Sequence, residues 1–415
     1  MSNQLLQTLK GFRDIFPKNK RKRDYILKKI VETYQLFGFE PLETPTLEYA
    51  SLLLGKYGEE ADKSVYTFED QGGRRVGLRF DQTVPTARIL AQYRYNLPKF
   101  FRRYQIQNVF RAEKPQKGRY REFTQCDIDI FGTTATLADA EVLACVYATF
   151  KNIGFKQVEV KVNDRQTLVT SLQPFATEKV NVSSLIQSLD KLEKIKQTGV
   201  TAELIKKGLS VDQAQQALAA VKNLQPSKSL TSILDQAIAL GIKKSDLVFS
   251  PTLARGLDYY TGMIFEIVLP GYTVGSCGGG GRYDNLIEQL GGVEMPAVGF
   301  GLGFDRTVEA ADQLGLIPEL NSSSQVLITL LDENTKLAAL RAATQLRVNQ
   351  ISVEIYPTVD KLGKQLKTAN QKQIPWVIII GEEEMAQNLI CLKNMSTGKQ
   401  ETLDLKAAAI KIKQA

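Results

Sequence analysis

The chain has 415 residues, 43% of them hydrophobic and 24% charged, a composition that fits a globular protein with two or three cores rather than one. A net charge of +8 and a pI near 9.0 suit a polyanionic partner. Histidine is absent altogether, which excludes imidazole bases, Ser-His dyads and histidine metal ligands, and with them the hydrolases that need one.

The N-terminal MSNQLLQTLK shows no signal-peptide pattern and no apolar run is long enough to span a bilayer, so a cytoplasmic protein without membrane association is expected. Basic residues cluster at Lys18, Lys20, Arg21, Lys22 and Arg23, either as an exposed helix start or as a phosphate contact. From Lys22 to Phe37 the apolar Ile26, Ile30, Val31, Tyr34 and Phe37 recur at helical spacing, with Gly38 as the stop. Pro41 and Pro45 then force FEPLETPTLE into an extended segment. Val109 to Asp129 reads as a strand, a Pro and Gly loop and a second strand, a hairpin crowded with Arg111, Lys114, Lys117, Arg119 and Arg121. Lys99, Arg102 and Arg103 extend this second basic cluster. The cysteines, Cys126, Cys145, Cys277 and Cys391, are scattered without a Cys-x-x-Cys pair, which points to buried free thiols rather than disulfides or a zinc site.

Between Asp164 and Phe249 the chain turns helix-rich and carries no catalytic motif. The octet RGLDYYTG, Arg255 to Gly262, then packs a cation, an acid and two phenols together, and as an alternating strand it would place Arg255 and Tyr259 on one face. Gly278 to Gly281 is not followed by Gly-Lys-Ser/Thr, so it is no P-loop; glycines there let a strand pass close beneath a substrate. GFGLGFDR, Gly299 to Arg306, reads as a small-residue strand opening into a helix. After the polar NSSS at Asn321 to Ser324, short apolar runs alternate with helices as a separate mixed α/β domain.

In order, Thr44-Pro45, the Arg111 hairpin and the glycine-rich strand leading to Arg306 resemble motifs 1, 2 and 3 of the class II aminoacyl-tRNA synthetases. LRFDQT (Leu78 to Thr83), RGLDYY (Arg255 to Tyr260) and GGGRYDNL (Gly279 to Leu286) narrow the resemblance to the histidyl-tRNA synthetase family, from KGFRDIFP at Lys10 to the C-terminal domain. The resemblance implies an α+β fold, an antiparallel sheet flanked by helices. Its parts would be a catalytic core in two pieces, 1–163 and 250–320, a helical insertion domain at 164–249 that leans on the acceptor arm of tRNA, and an anticodon-binding domain at 325–415. It implies a homodimer with Pro45 at the interface, and histidine, ATP with Mg2+, and tRNA-His as substrates, with no structural metal.

By the same resemblance Arg111 bridges the amino-acid carboxylate and the α-phosphate, and Arg255 stands opposite it, where other enzymes place a metal ion. Arg119 and Arg306 hold the terminal phosphates and the adenine face, and Phe123 stacks on adenine. Asp129 and Tyr260 grip the imidazole; Asp81, Gln82, Thr83 and Gln125 hold the α-amino group; Tyr259 and Tyr283 line the pocket. Bacterial relatives often carry Glu where Asp81 and Asp129 stand, so the reach of these acids is shorter here. In the hairpin loop, Gln116 reads the acceptor stem while Lys117 contacts phosphate.

Overall fold

The computed structural model describes residues 6–54, 64–115, 118–255, 259–290, 293–320 and 322–414, which form two compact units, Met1–Ile317 and Pro318–Ala415. The first is built on a large sheet whose strands are β1 (Glu40–Pro41), β5 (Phe101–Phe110), β6 (Glu122–Phe131), β7 (Glu159–Asp164), β8 (Leu247–Phe249), β9 (Met263–Val268), β10 (Gly278–Arg282) and β11 (Ala297–Gly303). These eight strands lie in the order β1-β5-β6-β11-β10-β9-β7-β8. Pairing is antiparallel except at the two edges, where β1 lies parallel to β5 and β8 to β7. A small sheet, β2 (Leu47–Tyr49), β4 (Arg75–Leu78) and β3 (Thr67–Glu69), sits beside it.

The hairpin expected at Val109 to Asp129 forms the second and third strands of the large sheet: β5 and β6 pair from Phe101 opposite Phe131 to Phe110 opposite Glu122. Because side chains alternate along a strand, the register sorts the sheet into two unlike faces. One carries Ile128, Ile130, Val298, Phe300, Leu302, Phe265 and Ile267 into the main core. Helix Pro17–Leu36 covers it with Ile26, Ile30 and Tyr34, the spacing of one helical stripe, and helix Thr136–Ile153 with Val142, Leu143, Val146 and Phe150. Pro17 occupies the first helical position, where its missing N–H costs nothing. The basic cluster at this helix start is partly neutralised inside the fold: Arg23 reaches Asp305 at 2.5 Å and Lys22 reaches Asp312 at 2.5 Å.

Helices Arg165–Leu172, Val182–Leu189, Leu192–Lys207 and Val211–Lys222 gather around a second core that continues into Ala87, Leu90, Tyr260, Tyr283 and Leu286. Asp164, Asn181 and Ser210 cap three of them through side-chain oxygens, each such cap contributing about 1 kcal/mol. Helix Lys228–Ala239 behaves differently. Its Leu230, Ile233 and Ala237 join the main core, and β8 returns to the sheet edge. The helix-rich stretch therefore contributes to both cores.

The second unit holds β12 (Val326–Ile328), β13 (Val353–Ile355), β14 (Trp376–Ile379), β15 (Ile390–Asn394) and β16 (Gln400–Leu403), in the order β13-β12-β14-β15-β16. The first three are parallel and linked by helices Lys336–Val348 and Leu362–Gln371, while β15 and β16 add antiparallel, giving the mixed α/β domain expected.

Candidate active site

The face of the large sheet opposite the helices has the wrong composition for a core. One row across it runs Arg103, Asp129, Gly299, Gly281, Ile264, Asn163; the next runs Gln105, Asp127, Gly301, Gly279, Glu266, Lys161. Charged and amide side chains thus flank a strip of four glycines. A Cβ on Gly299 would collide with the Asp129 carboxylate, and one on Gly279 with the Arg255 guanidinium. The strip is a floor that lets side chains from the rim lie flat across the sheet.

At one end of the floor stand the acids. Arg103, fully buried, lies 2.6 Å from Asp129 as an ion pair, and the Tyr283 hydroxyl donates to the other oxygen of the same carboxylate. Burial nevertheless pushes Asp129 up to about 6, partly offset by Arg103 and the Tyr283 hydrogen bond. Asp127, 4% exposed, is also raised, by burial first, with Arg103 and Arg111 opposing and the neighbouring Asp129 and Asp81 adding to it. Gln82 donates its amide nitrogen to the carbonyls of Gln107 at 3.0 Å and Gln125 at 3.1 Å, which fixes its orientation. Its Oε1 is left buried without a hydrogen-bond partner, as are Gln125 Oε1 and Asp127 Oδ1. Buried acceptors are rarely left unsatisfied, so these three mark where a donor-rich ligand belongs. Asp81 caps helix Thr83–Tyr93 by accepting from the Val84 amide at 3.1 Å, which places Thr83 at the helix start.

The cations are spread around the rest of the floor, Arg255 at the far end and Arg111 beside β6. Arg255 rests on Gly279 with its Nη1 2.5 Å from Glu266. Burial works against its charge, but the surrounding Tyr260, Glu266 and Tyr259 outweigh that and hold its pKa above the ordinary arginine range. Arg111 follows β5, donates from Nε to the Phe80 carbonyl at 3.1 Å and lies 5.1 Å over the Phe123 ring. Arg306, on helix Phe304–Gln313, donates to the carbonyls of Gly118 at 3.3 Å and Ser276 at 2.9 Å, tying that helix to the hairpin loop. Arg119 is exposed on the same loop. A guanidinium over Gly279 is two strands away from Asp127 along one row, about 10 Å, which is the length of a small zwitterion.

Such a floor, acceptors at one end and the Arg255 guanidinium at the other, suits an amino acid held with its carboxylate toward an anionic co-substrate. The sequence profile described as histidyl-tRNA synthetase matches residues 11–307, and that described as an anticodon-binding domain matches 325–415. The chain belongs to the histidyl-tRNA synthetase family. The histidine–tRNA ligase of Wolinella succinogenes is 37% identical over 97% of either chain, and that of Rhodopirellula baltica is 38% identical over 95% of this chain and 94% of its own. A crystal structure of histidyl-tRNA synthetase from a Nostoc species superposes with a TM-score of 0.83 at 29% identity, covering 98% of this chain and 99% of the other.

Histidyl-tRNA synthetases are class II enzymes, and of the site residues expected here most fall around the one floor. Asp81, Gln82, Gln125, Asp129, Tyr283, Arg255 and Arg111 do so, and Tyr259 packs tilted against Tyr260 at 4.6 Å and edge-on to Tyr283 at 5.6 Å. The octet is no strand in its described part: Arg255 and Tyr259 to Gly262 are turn and coil, and β9 begins only at Met263. The Thr261 amide does donate to the Arg282 carbonyl at 2.8 Å, two residues before β9 begins, and the Tyr260 ring lies over Gly281. Gly256, Leu257 and Asp258 lie outside the described residues, as do Gln116 and Lys117, the expected acceptor-stem contacts. The phenol that bonds Asp129 is Tyr283, whereas Tyr260 packs in the second core at 7% exposure.

Arg102 and Arg103 are not part of a polyanion surface. Arg103 is at 0% exposure beneath Asp129, and Arg102 pairs with Glu141. Asp127 and Glu266 belong to the floor although no motif singles them out. A signal for the polar face is present all the same: QCDID and RRYQIQ place polar residues at every second position of strands otherwise apolar.

Proposed function

We propose that the chain performs its family's histidine–tRNA ligase reaction, forming histidyl-adenylate from L-histidine and ATP and passing histidine to the 3′ end of tRNA-His, with its labour divided along the glycine floor. Asp129, set by Arg103 and Tyr283, accepts an N–H of the imidazole, and Tyr260 approaches the ring from the side of Gly281. Gln82 and Gln125 accept from the α-ammonium group, with Asp81 and Thr83 at the helix start behind them. Tyr259 and Tyr283 wall the ring. Arg111 and Arg255 take the carboxylate and α-phosphate from two sides, so that charge growing on the pentacoordinate phosphorus meets guanidinium groups already in place.

Phe123 and Arg306 sandwich adenine, and Arg119 holds the terminal phosphates. Mg2+ enters with the nucleotide; among the described residues no group of three or more His, Cys, Asp or Glu side chains could hold one. Gln116 and Lys117 remain the proposed acceptor-stem contacts. Residues 325–415 of the second unit read the anticodon, and 164–249 supports the acceptor arm. The exposed Leu47, Tyr49 and Phe68 of the small sheet, next to Pro45, support a homodimer. No described helix is long and apolar enough to cross a membrane, and tRNA and ATP as substrates support a cytoplasmic reaction.

The observation that carries this reading is the set of buried, unpartnered acceptors facing the Arg255 guanidinium across a strip of glycines. Amino-acid-dependent ATP–pyrophosphate exchange over all twenty amino acids tests it. Histidine alone supports exchange, and Arg255→Ala lowers it by ~10³-fold or more. Histidine binding without exchange would make the protein a binding subunit instead.

A further inference from the structure

We propose that Asp127 is a further substrate-binding residue, the carboxylate that neutralises the α-ammonium group of the amino acid. The inference rests on the reading of the site as a histidine pocket, and adds to it a residue that reading does not use.

Three acids, Asp81, Asp127 and Asp129, are buried together at one end of the floor, at 9, 4 and 3% exposure. The guanidinium facing them at full burial, Arg103, is committed to Asp129 at 2.6 Å. Asp81 already accepts the Val84 amide. Asp127 Oδ1 has no hydrogen-bond partner, and a Cβ added to Gly301 would touch Asp127 Oδ1 and Gln125 Nε2 at 3.4 Å each, so both side chains lie over the same glycine. Gln82 bridges the backbone carbonyls of Gln107 and Gln125 in the adjoining row, with its own Oε1 unpartnered.

Asp127 Oδ1, Gln125 Oε1 and Gln82 Oε1 are thus three acceptors, and a primary ammonium group has three N–H donors. The register fits one molecule. Asp129 and Asp127 are one strand repeat apart on the same face, about 7 Å, and four bonds separate a ring nitrogen of histidine from its α-nitrogen. With the ring at Asp129 and the ammonium at Asp127, the carboxylate points along the glycine strip toward Arg255. Burial pushes the Asp127 carboxyl up, with Arg103 and Arg111 opposing, and an arriving ammonium group favours its charged form.

Equilibrium binding to the full chain, wild type and Asp127→Asn, tests this with three probes: histidine, histidinol, which keeps the ammonium but lacks the carboxylate, and 3-(imidazol-4-yl)propionate, which lacks the ammonium. The expected result is a 10- to 100-fold loss for histidine and histidinol, on the order of one charge-assisted hydrogen bond, with imidazolylpropionate unchanged. Thermal stability should hold or rise, because a buried acid is replaced by a neutral isostere. Equal weakening of all three probes, or a lowered melting temperature with unchanged histidine affinity, overturns the assignment in favour of a structural role. A wild-type protein that binds neither histidine nor histidinol overturns the underlying reading itself.

Discussion

Phe300 and Gly299 are neighbours on β11, yet they belong to different regimes of the molecule. Phe300 stacks on Phe265 at 5.0 Å in the helix-covered core, and Gly299 leaves room for the Asp129 carboxylate on the other side. The helix-covered face satisfies its atoms by packing. The glycine face holds buried acids, an ion pair and unpartnered acceptors, all of which destabilise an apo protein unless a ligand answers them. Stability and chemistry are therefore carried by alternate residues of the same strands, and substitutions one position apart should separate them.

The largest effect should come from the core side. Phe300→Ala removes a buried ring and should cost about 3–5 kcal/mol of stability in urea melts, while the fraction that folds keeps its histidine affinity. A loss of affinity without a loss of stability would merge the two regimes. On the site side, the raised Asp129 makes stability depend on pH. Its folded value of about 6 lies above the ordinary carboxylate value, so its contribution is full at pH below about 4 and is lost as pH rises through 6. Wild type should lose up to about 3 kcal/mol more than Asp129→Asn across that window, and parallel pH profiles for the two would refute the burial argument.

Gly279→Ala places a methyl group where the Arg255 guanidinium lies. It should lower kcat of exchange by ~10²-fold through misplacement of that cation, with little change in the KM for histidine. The smallest effect is expected at Glu266, which holds Arg255 by an ion pair at the far side of the same glycine. Glu266→Gln keeps a hydrogen bond but not the charge, and should cost ~10-fold in kcat. An increase in kcat would mean instead that Glu266 restrains the arginine and competes with the phosphate.

Elements whose partners lie close in the chain are legible from the amino-acid order alone. The helix over Pro17–Leu36, the β5–β6 hairpin, the strand running into Phe304 and the separate C-terminal α/β domain follow from periodicity, prolines and glycines, because local sterics and one-sided burial set them. The resemblance of LRFDQT, RGLDYY and GGGRYDNL to one family supplies most of the pocket. Where the pattern misleads, the cause is long-range. Arg103 reads as one more basic residue beside Arg102, and only pairing of β5 with β6 puts it under Asp129 while Arg102 turns to Glu141.

The sequence by itself determined the family, the separate C-terminal α/β domain and the residue types available for chemistry, since each is written in contiguous motifs. Only the tertiary structure decided that four glycines from two strands form one floor, that Tyr283 is the phenol on Asp129, and that Asp127 and Gln82 each keep a buried oxygen without a hydrogen-bond partner. Those facts depend on which residues sit opposite one another across strands far apart in the chain, and register is fixed by the burial of the whole helix-covered face rather than by any local pattern.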